Sequence, residues 1–256
     1  TLAEVTAVKN PTNDQTPNYS FSSSQPGTIS YGGSCSSTDN TSAAASDNNT
    51  ITFNSLNEGT YDNCTITVTD NASNAAVTLN VSSFTIDTTA PTVISTTPSN
   101  SEIITSTSSS ISVRFSEAMD NISTNTSNTT CSGALQLSPT DNSSCIQMSS
   151  SPSSPDNITF TLTPSDNLSF YTTYKIKVTT SARDLAGNNL ASDNETSTGF
   201  TTRYWTRQLG TSSAEEGRGV ARDSSNNIYV TGGTYGGLDS NTSSGGQDIF
   251  LVKYNV

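Results

Sequence analysis

Acidic and amide side chains recur together where two predicted strands end. The pattern Asp-x-x-(Ser or Gly)-Asn occupies residues 70–74 and again residues 184–188. Carboxylate, amide and backbone carbonyl oxygens are the ligands that Ca²⁺ prefers in proteins. Two further aspartates would join such a site if a domain junction folds back onto them. The candidate calcium ligands are Asp70, Asn71, Asp87, Asp120, Asp184 and Asn188.

The same pattern also makes a plain turn. An aspartate side chain can accept hydrogen bonds from backbone N–H groups a few residues later, and this closes a turn without any metal ion. We favour the structural turn over a calcium site for both copies of the pattern. We therefore expect no cofactor, with Ca²⁺ as the open alternative.

Catalytic chemistry is hard to build from this composition. The chain contains no histidine, which removes the Ser-His-Asp triad, the Cys-His dyad and histidine metal ligands. Glu117 with Asp120, or Glu215 with Glu216, could be proposed as the carboxylate pair of a glycosidase. We favour solvated loop charges for both pairs. The sequence therefore predicts no catalytic residues and a protein that is not an enzyme.

Four cysteines fall two by two along the chain. Cys35 and Cys64 lie in the first half, and Cys131 and Cys145 follow in the second. An even count with one pair per repeat favours two disulfides and an oxidising compartment. Buried free thiols are the alternative. A zinc site is disfavoured because histidine is absent and no Cys-x-x-Cys spacing occurs.

The charge balance limits the partners. The formal net charge is −12 and the isoelectric point is near 4.1. Binding of phosphate groups needs Lys and Arg, so the acidity argues against nucleic acid and anionic membrane surfaces as partners. The sequence holds no apolar run of membrane-spanning length. Because the first residue is Thr1 rather than a methionine, we expect a processed or excised segment.

Period-two alternation of apolar and polar residues predicts many short strands. In residues 50–54, for example, Ile51 and Phe53 alternate with polar side chains, as in half-buried antiparallel strands. A hydrophobic content of 30% is enough for thin two-sheet sandwiches. The strands predicted before residue 204 are 18–22, 28–31, 50–54, 63–69, 77–86, 93–95, 111–115, 134–138, 145–149, 157–163, 173–179 and 199–202.

One block of sequence comes twice, at a spacing of about 110 residues that matches one Ig-like sandwich. The block starts with a tyrosine, Tyr61 or Tyr174, continues as an alternating strand and ends in the aspartate turn. Each tyrosine is predicted to form a tyrosine corner, in which the hydroxyl binds nearby backbone. Between the copies, Pro91 predicts a stiff connector that sets two domains in line. The block is absent after Arg203.

The middle of the chain resembles bacterial Ig-like domains of surface-layer and large secreted proteins. The resemblance rests on residues 113–120 (VRFSEAMD), on the strand that starts at Tyr174 and on residues 184–188 (DLAGN). The first segment resembles related modules that end in a connector like residues 84–92 (FTIDTTAPT). Two tandem Ig-like β-sandwiches are therefore implied, at residues 1–89 and 90–203.

The last segment resembles the bacterial β-propeller repeat. The residues that carry this resemblance are 205–210 (WTRQLG), 219–223 (GVARD), 227–232 (NIYVTG) and 246–254 (GQDIFLVKY). Four short strands with glycine turns over about 50 residues make one propeller blade. We therefore expect an all-β chain that ends in one β-propeller-type blade at residues 204–256.

Such modules usually hold, space or adhere. We expect a non-catalytic bacterial extracellular protein at the cell surface, acting as a structural spacer, adhesive stalk or filament subunit. A blade cannot bury both faces alone, so either further blades follow or another chain covers it, and the expected partners are copies of itself or other surface proteins. The predicted assembly residues are Trp205, Ile249, Phe250, Leu251, Val252 and Tyr254.

The alternative is a ligand- or carbohydrate-binding accessory region of a larger secreted protein that bears a propeller. Sugar platforms usually need stacked aromatic rings. From the sequence, only Trp205 is available for that role, and this counts against the alternative.

Overall fold

The computed structural model describes residues 1–38, 42–43, 48–120, 122–124, 126–127, 129–140, 144–204, 208–225 and 227–254. The chain is all-β and divides into two compact units, Thr1–Tyr204 and Trp205–Val256. The strands are β1 (Leu2–Thr6), β2 (Asn18–Ser23), β3 (Gly27–Gly32), β4 (Ser42–Ala43), β5 (Asn48–Thr52), β6 (Gly59–Tyr61), β7 (Thr65–Thr69), β8 (Leu79–Asn80), β9 (Phe84–Ile86), β10 (Val93–Thr97), β11 (Ile103–Ile104), β12 (Ile111–Phe115), β13 (Leu135–Pro139), β14 (Thr159–Leu162), β15 (Thr173–Val178), β16 (Asn194–Glu195), β17 (Phe200–Thr202), β18 (Glu215–Arg222), β19 (Ile228–Thr234) and β20 (Asp248–Tyr254).

Strands β1 to β9 build the first sandwich. Its sheets have the strand orders β1-β2-β5 and β4-β3-β7-β8, and β6 pairs with β9. Alternate residues of β7 are buried, as the period-two pattern predicts. The inward side chains form one core, in which rings stack from Tyr19 through Phe53 and Phe84 to Tyr61 with centroids 5.4 to 6.1 Å apart.

Strands β10 to β17 build the second sandwich around a separate core. One sheet has the order β10-β12-β14; the other has the order β11-β17-β15-β13, and β16 also pairs with β15. Val113 and Phe115 from the first sheet meet Leu137, Ile176 and further residues from the second. Each face is thus covered by the opposite sheet, which is the arrangement of an Ig-like sandwich.

The two tyrosine-corner predictions are confirmed. The hydroxyl of Tyr61 donates a hydrogen bond of 3.0 Å to the backbone carbonyl of Asn57. The hydroxyl of Tyr174 accepts one of 2.9 Å from the backbone N–H of Ser169. Tyr61 is the last residue of β6 and Tyr174 lies at the start of β15, so each hydrogen bond fixes the ring at the end of a strand.

Each sandwich contains one disulfide. Cys35 is bonded to Cys64 across a sequence separation of 29 residues, and both side chains are buried in the first core. Cys131 is bonded to Cys145 across 14 residues. Here Cys145 is buried and Cys131 is exposed, so this bond ties a surface loop to the second sandwich.

Two predicted strands are wrong. Residues 145–149 form no strand because their N–H groups bind three different partners: Cys145 donates to Thr129, Ile146 to Leu137 and Ser149 to Thr163. Residues 77–86 are not one strand but two, because β8 pairs with β7 while β9 pairs with β6 in another sheet. The alternation of apolar and polar side chains does not show which backbone groups a segment binds or which sheet it joins.

The second unit contains a three-stranded antiparallel sheet with the order β18-β19-β20. A first strand at 205–210 was predicted, but residues 208–210 are not in a strand and residues 205–207 lie outside the described part of the chain. A short 3-10 helix (Leu238–Ser240) lies between β19 and β20. A Cβ atom at Gly232 would lie 2.0 Å from the backbone carbonyl oxygen of Glu216 in the neighbouring strand, so only glycine fits there.

Candidate functional site

The aspartate turns of the two sandwiches are closed in similar but not identical ways. Oδ1 of Asp70 accepts hydrogen bonds from the backbone N–H groups of Ala72 and Asn74, two and four positions later, at 2.9 and 2.8 Å. Oδ1 of Asp184 accepts bonds from the N–H groups of Gly187 and Asn188, three and four positions later, at 2.6 and 2.8 Å. In each turn the asparagine amide also donates to the aspartate Oδ2.

The fourth position of the turn explains the choice of Ser or Gly. Ser73 has a φ of 64° and Gly187 a φ of 114°. Backbone with positive φ costs least for glycine, so Gly187 fits the more extreme angle. In both turns the aspartate accepts hydrogen bonds from protein N–H groups, which is how such a side chain closes a plain turn.

A third turn of this kind lies in the blade, although the repeated block that starts with a tyrosine is absent there. Oδ1 of Asp223 accepts bonds of 2.9 Å from the N–H groups of Ser225 and Asn227. The amide of Asn227 donates to Asp223 Oδ2 at 2.8 Å. The sequence signal was present, as Asp and Asn again stand four positions apart, but neither Ser nor Gly precedes the asparagine.

Three carboxylates meet where the two sandwiches join. Oxygen atoms of Asp87, Glu117 and Asp184 all lie within 4.8 Å of one another. Asp87 follows β9, Glu117 follows β12, and Asp184 begins the second aspartate turn. Asp184 is only 1% exposed, whereas the other two are partly buried. This is the one group of at least three potential metal-ligating side chains in the described residues.

The electrostatics of this carboxylate trio act on Glu117. Burial raises the pKa of the Glu117 carboxyl above its ordinary value, and the charges of Asp87 and Asp184 raise it further. Like charges at this distance disfavour ionisation. A bound cation would remove that repulsion, and three carboxylates are suitable ligands for Ca²⁺. However, both oxygens of Asp184 already accept hydrogen bonds from the turn.

Hydrogen bonds fix the trio in place. The amide of Asn188 donates to the backbone carbonyl of Asp87 at 2.8 Å. The carbonyl of Ala186 accepts from the backbone N–H of Asn13 at 3.2 Å and from Lys9 Nζ at 3.2 Å. The second aspartate turn therefore binds residues of the first sandwich directly.

The other predicted ligands lie elsewhere. Asp120 binds Arg183 at 2.6 Å and does not belong to the trio. Asp70 and Asn71 belong to the first aspartate turn and are also outside the trio. The structure thus brings together only Asp87, Asp184 and Asn188 of the six, and it adds Glu117, which the sequence suggested only as a glycosidase acid.

Neither proposed glycosidase pair is supported by its surroundings. Asp120 is engaged by Arg183, as stated. Glu215 and Glu216 lie in strand β18, where we predicted a loop, and consecutive strand residues point to opposite faces. Hydrogen bonds from Thr211 hold the pKa of Glu215 below its usual range, which suits an ionised acceptor rather than an acid.

The blade has several exposed apolar side chains. Ile249 is 89% and Leu251 71% exposed on one face of β20, while Phe250 and Val252 on the other face are half-buried. Val220 of β18, 76% exposed, lies on the same face as Val252 through the pairing with Val230. Tyr254 is half-buried, and Trp205 lies outside the described residues.

An aromatic group that no sequence pattern predicted lies on the second sandwich. The rings of Phe170 and Tyr204 stack with centroids 3.7 Å apart, and Tyr171 meets Tyr204 edge-on at 5.5 Å. Tyr171 is 66% and Tyr204 55% exposed. Tyr171 also has a φ of 55°, which is rare for a bulky residue. Trp205 is therefore not the sole candidate ring for stacking on a ligand.

In the described part of the chain, no helix has both the length and the apolar character needed to cross a membrane.

Comparisons with known proteins give two family matches and a distant structural alignment. A solved structure described as the N-terminal part of the bacterial S-layer protein SbsC aligns at 16% identity with a TM-score of 0.33, over 64% of this chain and 44% of that one. The chain thus spans less than half of that structure. No curated protein matches the sequence. Residues 87–202 match the family described as bacterial Ig-like domain, and residues 205–239 match the family described as beta-propeller repeat. The chain therefore joins a segment similar to bacterial Ig-like domains to a segment similar to β-propeller repeats.

Proposed function

We propose that this chain is a non-catalytic part of a bacterial extracellular surface structure, in which the sandwiches at 1–89 and 90–203 act as a spacer or stalk. The blade at 204–256 is the assembly element and binds copies of the chain or other surface proteins. The observation that carries the proposal is the exposure of Ile249 and Leu251 on edge strand β20. Uncovered edges and apolar patches of this kind recruit partners.

The sandwiches support the spacer role in a different way. Each has its own core and its own disulfide, and cross-linking opposes unfolding of a small domain. The junction is held by direct hydrogen bonds between the two sandwiches. These features suit an oxidising, extracellular setting and a load-bearing or spacing task.

The proposal is tested by removing the blade. Light scattering and electron microscopy would compare the full chain with a variant that ends at Tyr204, a compact unit in the structure. We expect association or ordered fibres from the full chain and dispersed monomers from the shortened one. Equal association of the two proteins would refute the assembly role.

A second candidate function is favoured by the aromatic group of Phe170, Tyr171 and Tyr204. Exposed tyrosine rings combine an apolar face with a polar hydroxyl and are common in binding surfaces. The second candidate is therefore a ligand- or carbohydrate-binding accessory region. Binding to a glycan array that is lost in Tyr171→Ala would favour it, and absence of any binding would leave the structural role.

A further inference from the structure

The free edge of strand β20 lines a groove of about 590 Å³. Its lining includes six consecutive residues of β20, 248 to 253, together with Leu209, Thr234 at the end of β19 and residues of the segment between β19 and β20. Consecutive strand residues point to opposite faces of a sheet. A groove that touches all six therefore runs along the strand edge rather than over one face.

The edge itself can form hydrogen bonds. Strand β20 pairs with β19 along its whole length, and no strand in the described ranges pairs with its other side. Such an edge presents backbone N–H and C=O groups to a further strand.

We propose that this groove binds an extended peptide segment of another polypeptide, which adds to β20 as an antiparallel strand. The inference rests on the proposed function, because it specifies how the blade holds a partner. Both existing pairings of the sheet are antiparallel. Ile249 and Leu251, exposed on one face, would pack against apolar residues at alternate positions of the incoming strand.

Charge determines which residue of that strand lies opposite Lys253. Lys253, on the same face as Leu251, has its Nζ 5.6 Å from the ring centroid of Tyr229, and it has no carboxylate partner among the described ion pairs. At the other end, Asp248 already accepts hydrogen bonds from Ser243 and Ser244. An antiparallel partner would therefore read acidic-x-apolar-x-apolar, with its acidic residue opposite Lys253.

The probe for this groove is a fluorescent peptide of sequence Thr-Glu-Thr-Val-Thr-Ile-Thr, titrated into the full chain and followed by anisotropy. We expect the peptide with Lys in place of Glu to bind about threefold more weakly, because an exposed cross-strand charge pair has a small effect. Lys253→Glu should reverse that preference. Arg222→Glu, on the other edge strand β18, is the matched control and should leave it unchanged.

Backbone pairing is tested with two N-methylated peptides that block alternate amides. One set should abolish binding because its amides face β20, and the other should bind like the parent peptide. Equal binding of both, no binding of the parent peptide, or an unchanged preference in Lys253→Glu would overturn the proposal. Association of the full chain in light scattering is a separate readout, so the groove can fail while the assembly role stands.

Discussion

The side-chain amide of Asn188 donates a hydrogen bond of 2.8 Å to the backbone carbonyl of Asp87, 101 positions earlier in the chain. The same nitrogen donates to Asp184 Oδ2 at 2.9 Å. One asparagine therefore closes its own turn and also binds the connector that leaves the first sandwich. The second aspartate turn therefore has two roles: it closes the chain locally, and it holds the junction between the two sandwiches.

Replacing Asn188 with alanine should loosen the junction. The part-buried backbone carbonyl of Asp87 loses this partner, and a hydrogen bond of this kind contributes about 0.5–1.5 kcal/mol. Amide hydrogen exchange should become faster in residues 84–92 and 183–190. Asn74→Ala is the matched control, since it removes the equivalent asparagine from a turn outside the junction. Equal effects of both variants on residues 84–92 would contradict a junction role.

The aspartate turns could be predicted from the sequence, but the contact of the second turn with Asp87 and Glu117 could not. Spacing alone identified Asp70 with Asn74 and Asp184 with Asn188, because the hydrogen bonds within a turn are local. The contact of Asp184 with Asp87 and Glu117 depends on how two separate domains pack. No local periodicity encodes that packing, so Glu117 was assigned to a different hypothetical site.

Glu117→Gln should stabilise the protein at neutral pH. Burial and the neighbouring carboxylates raise the folded-state pKa of Glu117 above 4.5. Protonated Glu117 therefore adds stability below the unfolded pKa, and this contribution is lost as the pH rises through the higher folded pKa. In EDTA, we expect the Tm of Glu117→Gln to exceed wild type by about 2 °C at pH 7 and to match it near pH 4. Asp166→Asn, an exposed carboxylate of the same sandwich, should show no such crossover.

Adding calcium distinguishes a calcium site at the carboxylate trio from a purely structural turn. Because the Asp184 oxygens already accept three hydrogen bonds, we expect the Tm of wild type to be the same in EDTA and in excess calcium. A bound ion present at about 100 times its Kd would instead add about 2.7 kcal/mol. A calcium-dependent rise in wild type, absent from Glu117→Gln, would assign the trio to calcium.

The two disulfides should contribute unequally. Loop closure over 14 residues stabilises by about 3 kcal/mol on the chain-entropy model, and closure over 29 residues by slightly more. Cys35 and Cys64 are also both buried in a core, so their removal loses packing as well. Urea unfolding should therefore show a larger loss for Cys35→Ala/Cys64→Ala than for Cys131→Ala/Cys145→Ala. The reverse order would contradict this account.

Local patterns predicted the cores better than the surfaces. Alternating residues such as Ile66 and Val68 are buried as expected, because period two places them on one face. The exposed group of Phe170, Tyr171 and Tyr204 joins residues more than 30 positions apart and has no periodic signal. An apolar run such as residues 249–252 is typical of a strand covered on both faces, and it carries no information about whether the strand lies at the edge of its sheet.

Replacing the exposed apolar pair of the blade should reduce association without unfolding the sheet. In Ile249→Thr/Leu251→Thr both new side chains are β-branched, a shape that favours strands, so circular dichroism should match wild type. The loss of apolar surface should lower the scattering intensity of concentrated solutions toward that of a monomer. Val77→Thr, an 87% exposed apolar residue of the first sandwich, is the matched control and should leave scattering unchanged. If the control lowered scattering as much as the double variant, association would depend on general surface hydrophobicity, and the blade would lose its special role.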